Sequence, residues 1–458
     1  MTSDNRALRA ARGRRVPGLG RPYARLAATV AVILVAITAL PALSSSDPRL
    51  TLPIPLPIPL PISLPIIGAI GGGGAPTSPP TTTTTTPTGY PVARGRHNPF
   101  STRAMWIWEL GSSSGGDLAQ IIAKAKSYGV GMLIIKSSDG TQPWAQFTPE
   151  LVSALRAAGL RVCAWQYVYG RVPAKEARLG ADAVREGAAC LVIDAESEYQ
   201  GRYHAAQRYL SLLRQQVGKN FPIGLAGLPY VDYHPGFPYS VFLGPGGAQY
   251  NLPQMYWKDI GVSVDQVFAH TYMYNRVYLR PIYPLGQLFD RPRLGQIIRF
   301  RQLAAAYGAR GVSWWDYQEA SGSNWRAIDI ETARPAGFVP DPQVVTLSRG
   351  SKGDLVVWAQ EHLYAAADRV HVDGDFGPLT LAAVESFQAA HRLLSTGAID
   401  AGTWAALLKY KPAHVNWALH SNKHGIAHTA GISSTTPPPQ SASLPGHNEL
   451  RGALGRGR

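Results

Sequence analysis

One local pattern recurs between residues 94 and 334: an amphipathic segment, a glycine that ends it, and a short apolar run. Glycine suits this position because many helices end in a residue with left-handed backbone geometry. Helices that alternate with apolar strands predict a parallel sheet covered by helices. The predicted strands are 104–108, 132–136, 160–167, 190–194, 222–226, 252–257, 277–283 and 311–316, and the predicted helices are 117–128, 149–158, 174–186, 203–217 and 294–307.

Eight such units in about 240 residues match the size of a (β/α)8 barrel, so we predict an α/β fold of the TIM-barrel type over residues 101–334. Residues 227–251 lack a clear helical pattern, which makes the fifth unit irregular. In a barrel of this type, functional side chains lie at the C-terminal ends of the strands. The residues at these strand ends therefore decide what chemistry the barrel can support.

Two acids, Asp194 and Glu196, follow the apolar run 191–193. Side chains alternate along a strand, so positions i and i+2 share one face and lie roughly 7 Å apart at Cα. Like charges this close raise the pKa of one carboxyl, so one acid can donate a proton while its partner stays ionised. Glycoside hydrolysis uses such a pair. In the alternative interpretation, Asp194 caps the turn after the strand and Glu196 is a solvated loop acid.

Aromatic and polar side chains crowd the other predicted strand ends. Flat rings offer a stacking surface to the C–H faces of sugars, and carboxylates bind hydroxyl groups, which favours a carbohydrate cleft. The alternative for any single tryptophan is a packing role in the core. No cofactor and no metal site are predicted. The predicted substrate-binding residues are Trp106, Trp108, Lys136, Trp165, Tyr167, Tyr256, Trp257, Trp315 and Asp316.

A second pattern predicts a small helical domain over residues 347–410. Leu355 and Leu363 fall close to one helical face, Val384 and Phe387 lie on another, and Asp400 can cap a last helix. Its other markers are Gly350, Gly353, Gln360, Asp373, Gly374, Asp375, Gly377, Gln388, Gly397, Trp404 and Leu407. In position after position, these residues resemble the three-helix peptidoglycan-binding module, which implies peptidoglycan as the partner. The two acids near Gly374 predict a turn and not a calcium site, because the usual calcium loop is incomplete.

The barrel segment, over residues 103–320, resembles the glycoside hydrolase family 25 lysozymes and their relatives. Residues 133–140 are similar to the family's second-strand Ile-Lys-Ala-Thr-Glu-Gly, and residues 192–196 to its fourth-strand Asp-x-Glu. The resemblance implies a muramidase in which Glu196 is the proton donor. The family opens its first strand with an aspartate that this chain lacks, which leaves Glu109 or Asp316 as substitutes. A wall-binding protein whose barrel no longer turns over its substrate is therefore the alternative.

The remaining segments read as targeting and linker regions. Residues 1–45 combine an arginine-rich start with an uncharged apolar run at 26–40, which predicts export to the cell wall by a signal peptide or an uncleaved membrane anchor. Residues 46–100 form a spacer rich in proline, glycine and threonine, and residues 335–346 form a short linker. Residues 411–458 are expected to be a disordered basic tail.

The net charge of +15 is concentrated at the two ends of the chain, so nucleic-acid binding is not indicated. The two cysteines, Cys163 and Cys190, are predicted to be separate buried thiols, because neighbouring parallel strands are poor sites for a bridge. We expect a monomer in which the small domain folds independently and tethers the barrel to the wall.

Overall fold

The structure, a computed structural model, describes residues 98–366 and 370–420, which belong to one compact unit. None of the helices in these two ranges has the length and apolar content of a bilayer-spanning segment. The predicted signal or anchor region, residues 1–45, and residues 46–97 of the predicted spacer lie outside the described residues, and both stay predictions.

The elements alternate between strands and helices up to residue 329 and are helical after it. The strands are β1 (Arg103–Ile107), β2 (Met132–Asp139), β3 (Gln142–Pro143), β4 (Arg161–Val168), β5 (Cys190–Ala195), β6 (Ile223–Ala226), β7 (Tyr250–Asn251), β8 (Leu285–Gln287) and β9 (Val312–Trp315). The helices are α1 (Leu118–Ser127), α2 (Pro149–Ala157), α3 (Pro173–Arg185), α4 (Tyr203–Val217), α5 (Tyr239–Leu243), α6 (Trp257–Ile260), α7 (Val264–Asn275), α8 (Leu294–Ala306), α9 (Gly322–Asp329), α10 (Asp354–Ala365), α11 (Pro378–Ala390), α12 (Ala401–Leu407) and α13 (Trp417–His420).

The strands form one curled sheet in the order β7-β6-β5-β4-β2-β1-β9-β8, with β3 paired antiparallel to β2 as a side hairpin. The strands along this path pair in parallel. Two isolated parallel bridges, Asn251 with Ile282 and Gln254 with Leu285, join β7 and the residues after it to the segment around β8. The two sheet edges thus meet, and the predicted TIM-like barrel is confirmed.

Two predicted strands are wrong in position. The strand expected at 252–257 is reduced to β7, and α6 begins where that strand was expected to end. The strand expected at 277–283 contains a 3-10 turn, and β8 follows at Leu285–Gln287. Prolines explain both shifts, because Pro253, Pro281 and Pro284 have no N–H to donate to a sheet. Helices α7 and α9 were not predicted, whereas the five predicted helices agree with the structure to within about one residue.

The barrel has two apolar layers because strand side chains alternate between its faces. One layer lies inside the sheet and includes Met132, Ile134 and Val192. The other lies between the sheet and the helices and includes Leu133 and Ile193. The inward side chains of β5 are those of Cys190, Val192 and Asp194, and Asp194 is the one nearest the C-terminal face of the barrel.

Cys163 and Cys190 are joined in a disulfide, so the prediction of two separate thiols is wrong. The two residues are register partners on β4 and β5, and both side chains point into the barrel. Their Cα atoms are 4.7 Å apart, which lies within the range that a disulfide can bridge. In this pair the two side chains share one face at the same height, so parallel strands do not prevent the bridge.

The small domain consists of α10, α11 and α12, and two buried glutamines connect its turns. The Gln360 side chain donates to the Asp373 carboxylate at 2.9 Å and accepts from the backbone N–H groups of Asp373 and Gly374. Gln388 accepts in the same way from Gly397. Asp400 caps α12 by accepting from the Thr403 N–H at 2.8 Å, as the sequence predicts. Among the described residues, no group of acids, histidines or cysteines could hold a metal ion.

Helix α10 is buried on all sides from Asp354 to Leu363, because it packs between the barrel and the rest of the small domain. Asp354 accepts from the N–H and hydroxyl of Ser240, at 2.8 and 2.7 Å, and from the hydroxyl of Tyr278 at 2.8 Å. The indole of Trp358 donates to the Val277 carbonyl at 2.8 Å. An apolar surface of this kind is typical of a domain interior. These contacts lead us to expect that the small domain does not fold independently of the barrel, contrary to the prediction from the sequence.

The expectation of disorder from residue 411 is also wrong for its first ten residues. Val415 and Trp417 are buried, and the Trp417 ring lies 4.4 Å from the ring of Tyr203 on α4. The Gln207 side chain donates to the Val415 carbonyl at 2.7 Å and accepts from the Trp417 N–H at 3.0 Å. Residues 421–458 of the predicted tail lie outside the described residues.

The junction at α10 predicts that barrel and small domain unfold together. Trp358→Ala removes a fully buried indole and its hydrogen bond, and it should lower the free energy of unfolding by about 3–5 kcal/mol. Scanning calorimetry should show one transition that moves to lower temperature as a whole. Tyr364→Ala on the same helix is the control, since its side chain is 51% exposed and its effect should stay within about 0.5 kcal/mol. Two separate transitions, with only the smaller one shifted, would contradict the shared core.

Candidate active site

The two predicted catalytic acids lie together at the C-terminal end of β5. The side-chain amide of Gln254 donates to Oδ1 of Asp194 at 3.0 Å and to Oε1 of Glu196 at 3.1 Å. These two oxygens are therefore no more than about 6 Å apart, which fits the shorter of the two separations found in glycosidases. Both residues are largely buried, at 4% and 8% exposure.

A tyrosine connects this pair to a third acid. The hydroxyl of Tyr167, on β4, lies 2.9 Å from both carboxylate oxygens of Glu198 and 3.2 Å from Oε2 of Glu196. Burial and the negative charges of Glu196, Asp194 and Glu198 raise the pKa of Tyr167 well above its usual value. The phenol therefore remains protonated and acts as a hydrogen-bond donor to the acids.

Two further side chains border the acids. Burial and the charges of Asp194 and Glu196 raise the pKa of Tyr256, so its phenol is also neutral. Burial lowers the pKa of His234, against the opposing charge of Glu196, so its ring is neutral near pH 7. The His234 Nδ1 atom lies 3.2 Å from the side-chain nitrogen of Gln200. The acids thus face neutral donors and acceptors on this side of the site.

Lys136 lies in the second half of β2 and is enclosed by aromatic rings. Its ammonium is 4.1, 4.9 and 5.6 Å from the ring centroids of Trp144, Trp165 and Trp108. It forms an ion pair with Asp139 at 2.7 Å, and the Tyr169 hydroxyl donates to the same carboxylate at 2.9 Å. Cation–π attraction and the ion pair together stabilise this buried side chain.

The predicted sugar-stacking rings lie inside the barrel, but they pack on one another. Trp315 lies 5.3, 5.7 and 6.5 Å from the ring centroids of Trp165, Trp106 and Trp108. Trp106 and Trp165 are each 1% exposed, so their rings fill the barrel and offer no face to a sugar. Trp108, Trp315 and Tyr256 are 5–6% exposed and reach the edge of the same cluster.

Trp257 does not lie in the site, and its prediction as a substrate-binding residue is wrong. It is fully buried between the sheet and the helices, 5.2 Å from the ring of Phe300. The reason is the early end of β7, because α6 begins at Trp257 and directs its indole outward. Trp314 packs against the Phe300 ring as well. Neighbouring side chains on a strand point to opposite faces, so Trp314 points outward while Trp315 points into the barrel.

Asp316 is the better placed of the two substitutes for the missing first-strand acid. Its side chain is fully buried, and Oδ1 accepts from the Glu319 N–H at 3.1 Å. Burial and the charge of Glu319 raise the pKa of Asp316 well above its usual value. Glu109 instead accepts from Ser112 in a local turn.

Several residues of the site were missing from the sequence-based set. Gln254 and Tyr169 lie at predicted strand ends, so the sequence could have identified them as site residues. Trp144 and Phe289 follow strand ends at a distance, and no local pattern points to them. Trp144, Tyr169 and Phe289 are the partly exposed rings of the inner cluster, so they are better suited to contact a ligand than the rings predicted.

A known protein family matches the small domain. Residues 352–407 match the family described as "Putative peptidoglycan binding domain". The small domain is therefore similar to this family along α10, α11 and α12, and it is called the peptidoglycan-binding domain below. No curated protein matches the chain.

Solved structures with similarity to this chain include several enzymes. They include a chitinase from Chromobacterium violaceum ATCC 12472, at 10% identity over 50% of this chain and 97% of that chain, with a TM-score of 0.39. The spore cortex-lytic enzyme SleL of Bacillus cereus is 12% identical over 50% and 73%, with a TM-score of 0.38. The catalytic domain of endolysin ply40, from bacteriophage P40 of Listeria monocytogenes, is 20% identical over 29% and 66%, with a TM-score of 0.23. The barrel assignment depends on strand order and not on these similarities, and the resemblance to family 25 stays a prediction.

The enclosure of Lys136 predicts a large contribution to stability. In Lys136→Met the partly buried Asp139 loses its cation, and the free energy of unfolding should fall by about 3 kcal/mol. Urea unfolding followed by tryptophan fluorescence measures this value. Lys352→Met is the matched control, because the Lys352–Asp375 pair is 51% and 50% exposed and its loss should cost less than about 1 kcal/mol. Equal effects of the two substitutions would show that the indoles and burial give Lys136 no special role.

Proposed function

We propose that this protein is an exported peptidoglycan hydrolase of the muramidase type. The observation that carries the proposal is the bridging of Asp194 and Glu196 by the Gln254 amide at the C-terminal face of the barrel. That face is where barrel enzymes place their catalytic groups. A peptidoglycan-binding domain in the same compact unit supports the wall as the substrate.

In this mechanism Glu196 donates a proton to the oxygen of the β-1,4 link next to N-acetylmuramic acid. Asp194 stabilises positive charge at the anomeric carbon, or it orients the N-acetyl group of the substrate as an internal nucleophile. Gln254 keeps the two carboxylates at a fixed separation. Water then completes the hydrolysis, and the proton returns to Glu196.

The neighbouring groups have supporting roles. Tyr167 donates to Glu196 and Glu198 and so limits the repulsion among the acids. Trp144, Tyr169 and Phe289 are the partly exposed rings on which a sugar could stack. Asp316, fully buried and with a raised pKa, is a candidate for a neutral hydrogen-bond donor in place of the missing first-strand aspartate. Export, attachment to a membrane and a monomeric state remain part of the proposal.

A second function, wall binding without turnover, is favoured by one specific observation. The acids are 4% and 8% exposed, and four indoles fill the space below them, so a glycan reaches the pair only if the rim rings move. In this case the barrel would support the wall-binding domain and would release no sugar. Both functions predict retention on insoluble wall, so a binding assay does not separate them. Only the catalytic function predicts release of sugar, so an activity measurement does.

Replacing Glu196 by glutamine tests the proposal. Glu196→Gln keeps the shape and the contact with Gln254 but removes the transferable proton, so release of reducing ends from purified peptidoglycan should fall by about 10²–10⁴-fold. Glu186→Gln is the control, because Glu186 caps the C-terminal end of α3 and lies toward the opposite face of the barrel. Its activity should equal that of the unaltered protein.

Binding to insoluble wall serves as a second measurement on the same proteins. Both variants should be retained, since neither change touches the peptidoglycan-binding domain. Full activity of Glu196→Gln would exclude the proposed proton donor. No release of sugar by the unaltered protein, with retention on the wall intact, would favour the non-catalytic function.

A further inference from the structure

A cluster of aromatic side chains forms around the loop that follows β6. The ring of His270, on α7, lies between the rings of Tyr230 and Tyr274, with centroids 3.9 and 4.8 Å away. The ring of Tyr233 meets this stack edge-on, 5.2 Å from Tyr230 and 5.7 Å from His270. Stacked and edge-on contacts of this kind fix the rings relative to one another. These four residues and Asp232 are called the Tyr233 cluster below.

Tyr233 is the member of the cluster that is open to solvent. It is 59% exposed, whereas Tyr230 is 5% exposed. Among the phenylalanine, tyrosine and tryptophan side chains of residues 98–366 and 370–420, Tyr364 is the other exposed one. A ring that is held by its neighbours and remains exposed gives a ligand a flat apolar surface without further ordering of the side chain.

Asp232 places a carboxylate next to this ring. Its Oδ1 atom accepts from Nε2 of His270 at 2.7 Å. Burial and the charge of Asp232 raise the pKa of Tyr274, so that phenol is a neutral donor near the same carboxylate. A carboxylate can accept about four hydrogen bonds, and the Asp232 side chain is 27% exposed, so a donor from a ligand can reach it. An exposed ring beside such an acceptor suits a sugar, which offers a C–H face and hydroxyl groups.

The backbone of the loop is held on both sides of Tyr233. Before it, the Pro229 carbonyl accepts from the Asn275 side chain at 2.9 Å. After it, the Pro235 carbonyl accepts from the backbone N–H of Asp354, at the start of α10, at 2.7 Å. A Cβ atom on Gly353 would lie 2.5 Å from the Pro235 oxygen, so the loop and the peptidoglycan-binding domain are in direct contact. The cluster is therefore held in place before a ligand arrives.

The same loop reaches the acid pair. The ring of His234 is close enough to Glu196 for that negative charge to oppose the lowering of the His234 pKa by burial. Tyr233, His234 and Pro235 are consecutive. Within three residues the loop thus carries the exposed ring, borders the acid pair and contacts the peptidoglycan-binding domain. A linear glycan that extends from the acid pair toward that domain would follow the loop and meet the Tyr233 ring.

We propose that the Tyr233 cluster is a glycan subsite, in which the Tyr233 ring stacks on one sugar of an N-acetylated β-1,4 glycan and the Asp232 carboxylate accepts from a hydroxyl of that sugar. This inference rests on the proposed function, because the subsite would hold the same glycan that Glu196 cuts. It gives the chain a contact with the glycan between the acid pair and the peptidoglycan-binding domain. Binding there needs no turnover, so a binding measurement tests it separately from hydrolysis.

Calorimetric titration of the full chain with the β-1,4-linked hexasaccharide of N-acetylglucosamine tests the proposal. The titrations are made on Glu196→Gln, so that the probe is not cut, and we expect a Kd below about 1 mM. Adding Tyr233→Ala should raise the Kd at least about fivefold, because the stacking surface is lost. Tyr233→Phe keeps the ring and should leave the Kd unchanged.

Two further variants in the same background complete the test. Asp232→Asn should raise the Kd about three- to tenfold, because a charge-assisted hydrogen bond to the sugar becomes a neutral one. Tyr364→Ala is the matched control, since it also removes an exposed tyrosine, 51% exposed, and it should leave the Kd unchanged. Because Tyr233 is exposed, Tyr233→Ala should not shift the midpoint of urea unfolding, which separates a loss of binding from a loss of structure.

Four results would overturn the proposal: no heat of binding at about 2 mM hexasaccharide, an unchanged Kd with Tyr233→Ala, an unchanged Kd with Asp232→Asn, or equal losses with Tyr233→Ala and Tyr364→Ala. An effect of Tyr233→Ala that is seen only with peptide-bearing wall fragments would overturn it in favour of a peptide contact. Release of sugar by the protein with Glu196 intact is measured separately. If no sugar is released but the titrations give the expected differences, the proposed hydrolysis fails and the subsite stands.

Discussion

The buried carboxylate of Asp354 is the interaction on which the arrangement of the two parts depends. It begins α10, which places its charge at the positive end of a helix, and it accepts from the backbone and hydroxyl of Ser240 and the hydroxyl of Tyr278 on the barrel. Burial raises its pKa to about 6, and these hydrogen bonds limit the rise. Because each donor belongs to the barrel, separation of the parts would leave a carboxylate and several polar groups without partners. We therefore expect the peptidoglycan-binding domain and the barrel to unfold as one unit.

The repeated pattern of a helix, a glycine and an apolar strand was sufficient to predict the barrel, because each of these features follows from local rules. It failed around β7 and β8, where Pro253, Pro281 and Pro284 reduce two strands to short ladders and isolated bridges. The acids Asp194 and Glu196 were predictable from strand alternation. Their contact with Gln254 was not, since 58–60 residues separate the partners and no local pattern encodes the pairing. The same limit applies to Asp354 and Ser240, which are 114 residues apart.

The inner cluster of rings shows how packing and access compete in this barrel. Alternation along the strands directs Trp106, Trp165 and Trp315 inward, where their rings pack against one another and leave little room for a sugar. In the proposed function, contact with a ligand therefore involves rings that lie beyond the inner tryptophans and are partly exposed, such as Trp144 and Tyr169. Sequence position alone could not separate these two groups, because both consist of aromatic residues near strand ends. The distinction depends on where each strand stops, and that is set by long-range pairing.

Hydrolysis of purified peptidoglycan in water enriched in oxygen-18, with mass spectrometry of the released glycans, tests the central claim most directly. If Asp194 and Glu196 act as a glycosidase pair, each cleavage must place one labelled oxygen on the new anomeric carbon, and a muramidase places it on N-acetylmuramic acid. The label should be absent with Glu196→Gln. Products labelled only at N-acetylglucosamine would contradict the muramidase type. Wall that remains uncut and unlabelled, although the protein binds it, would contradict the catalytic function of the barrel.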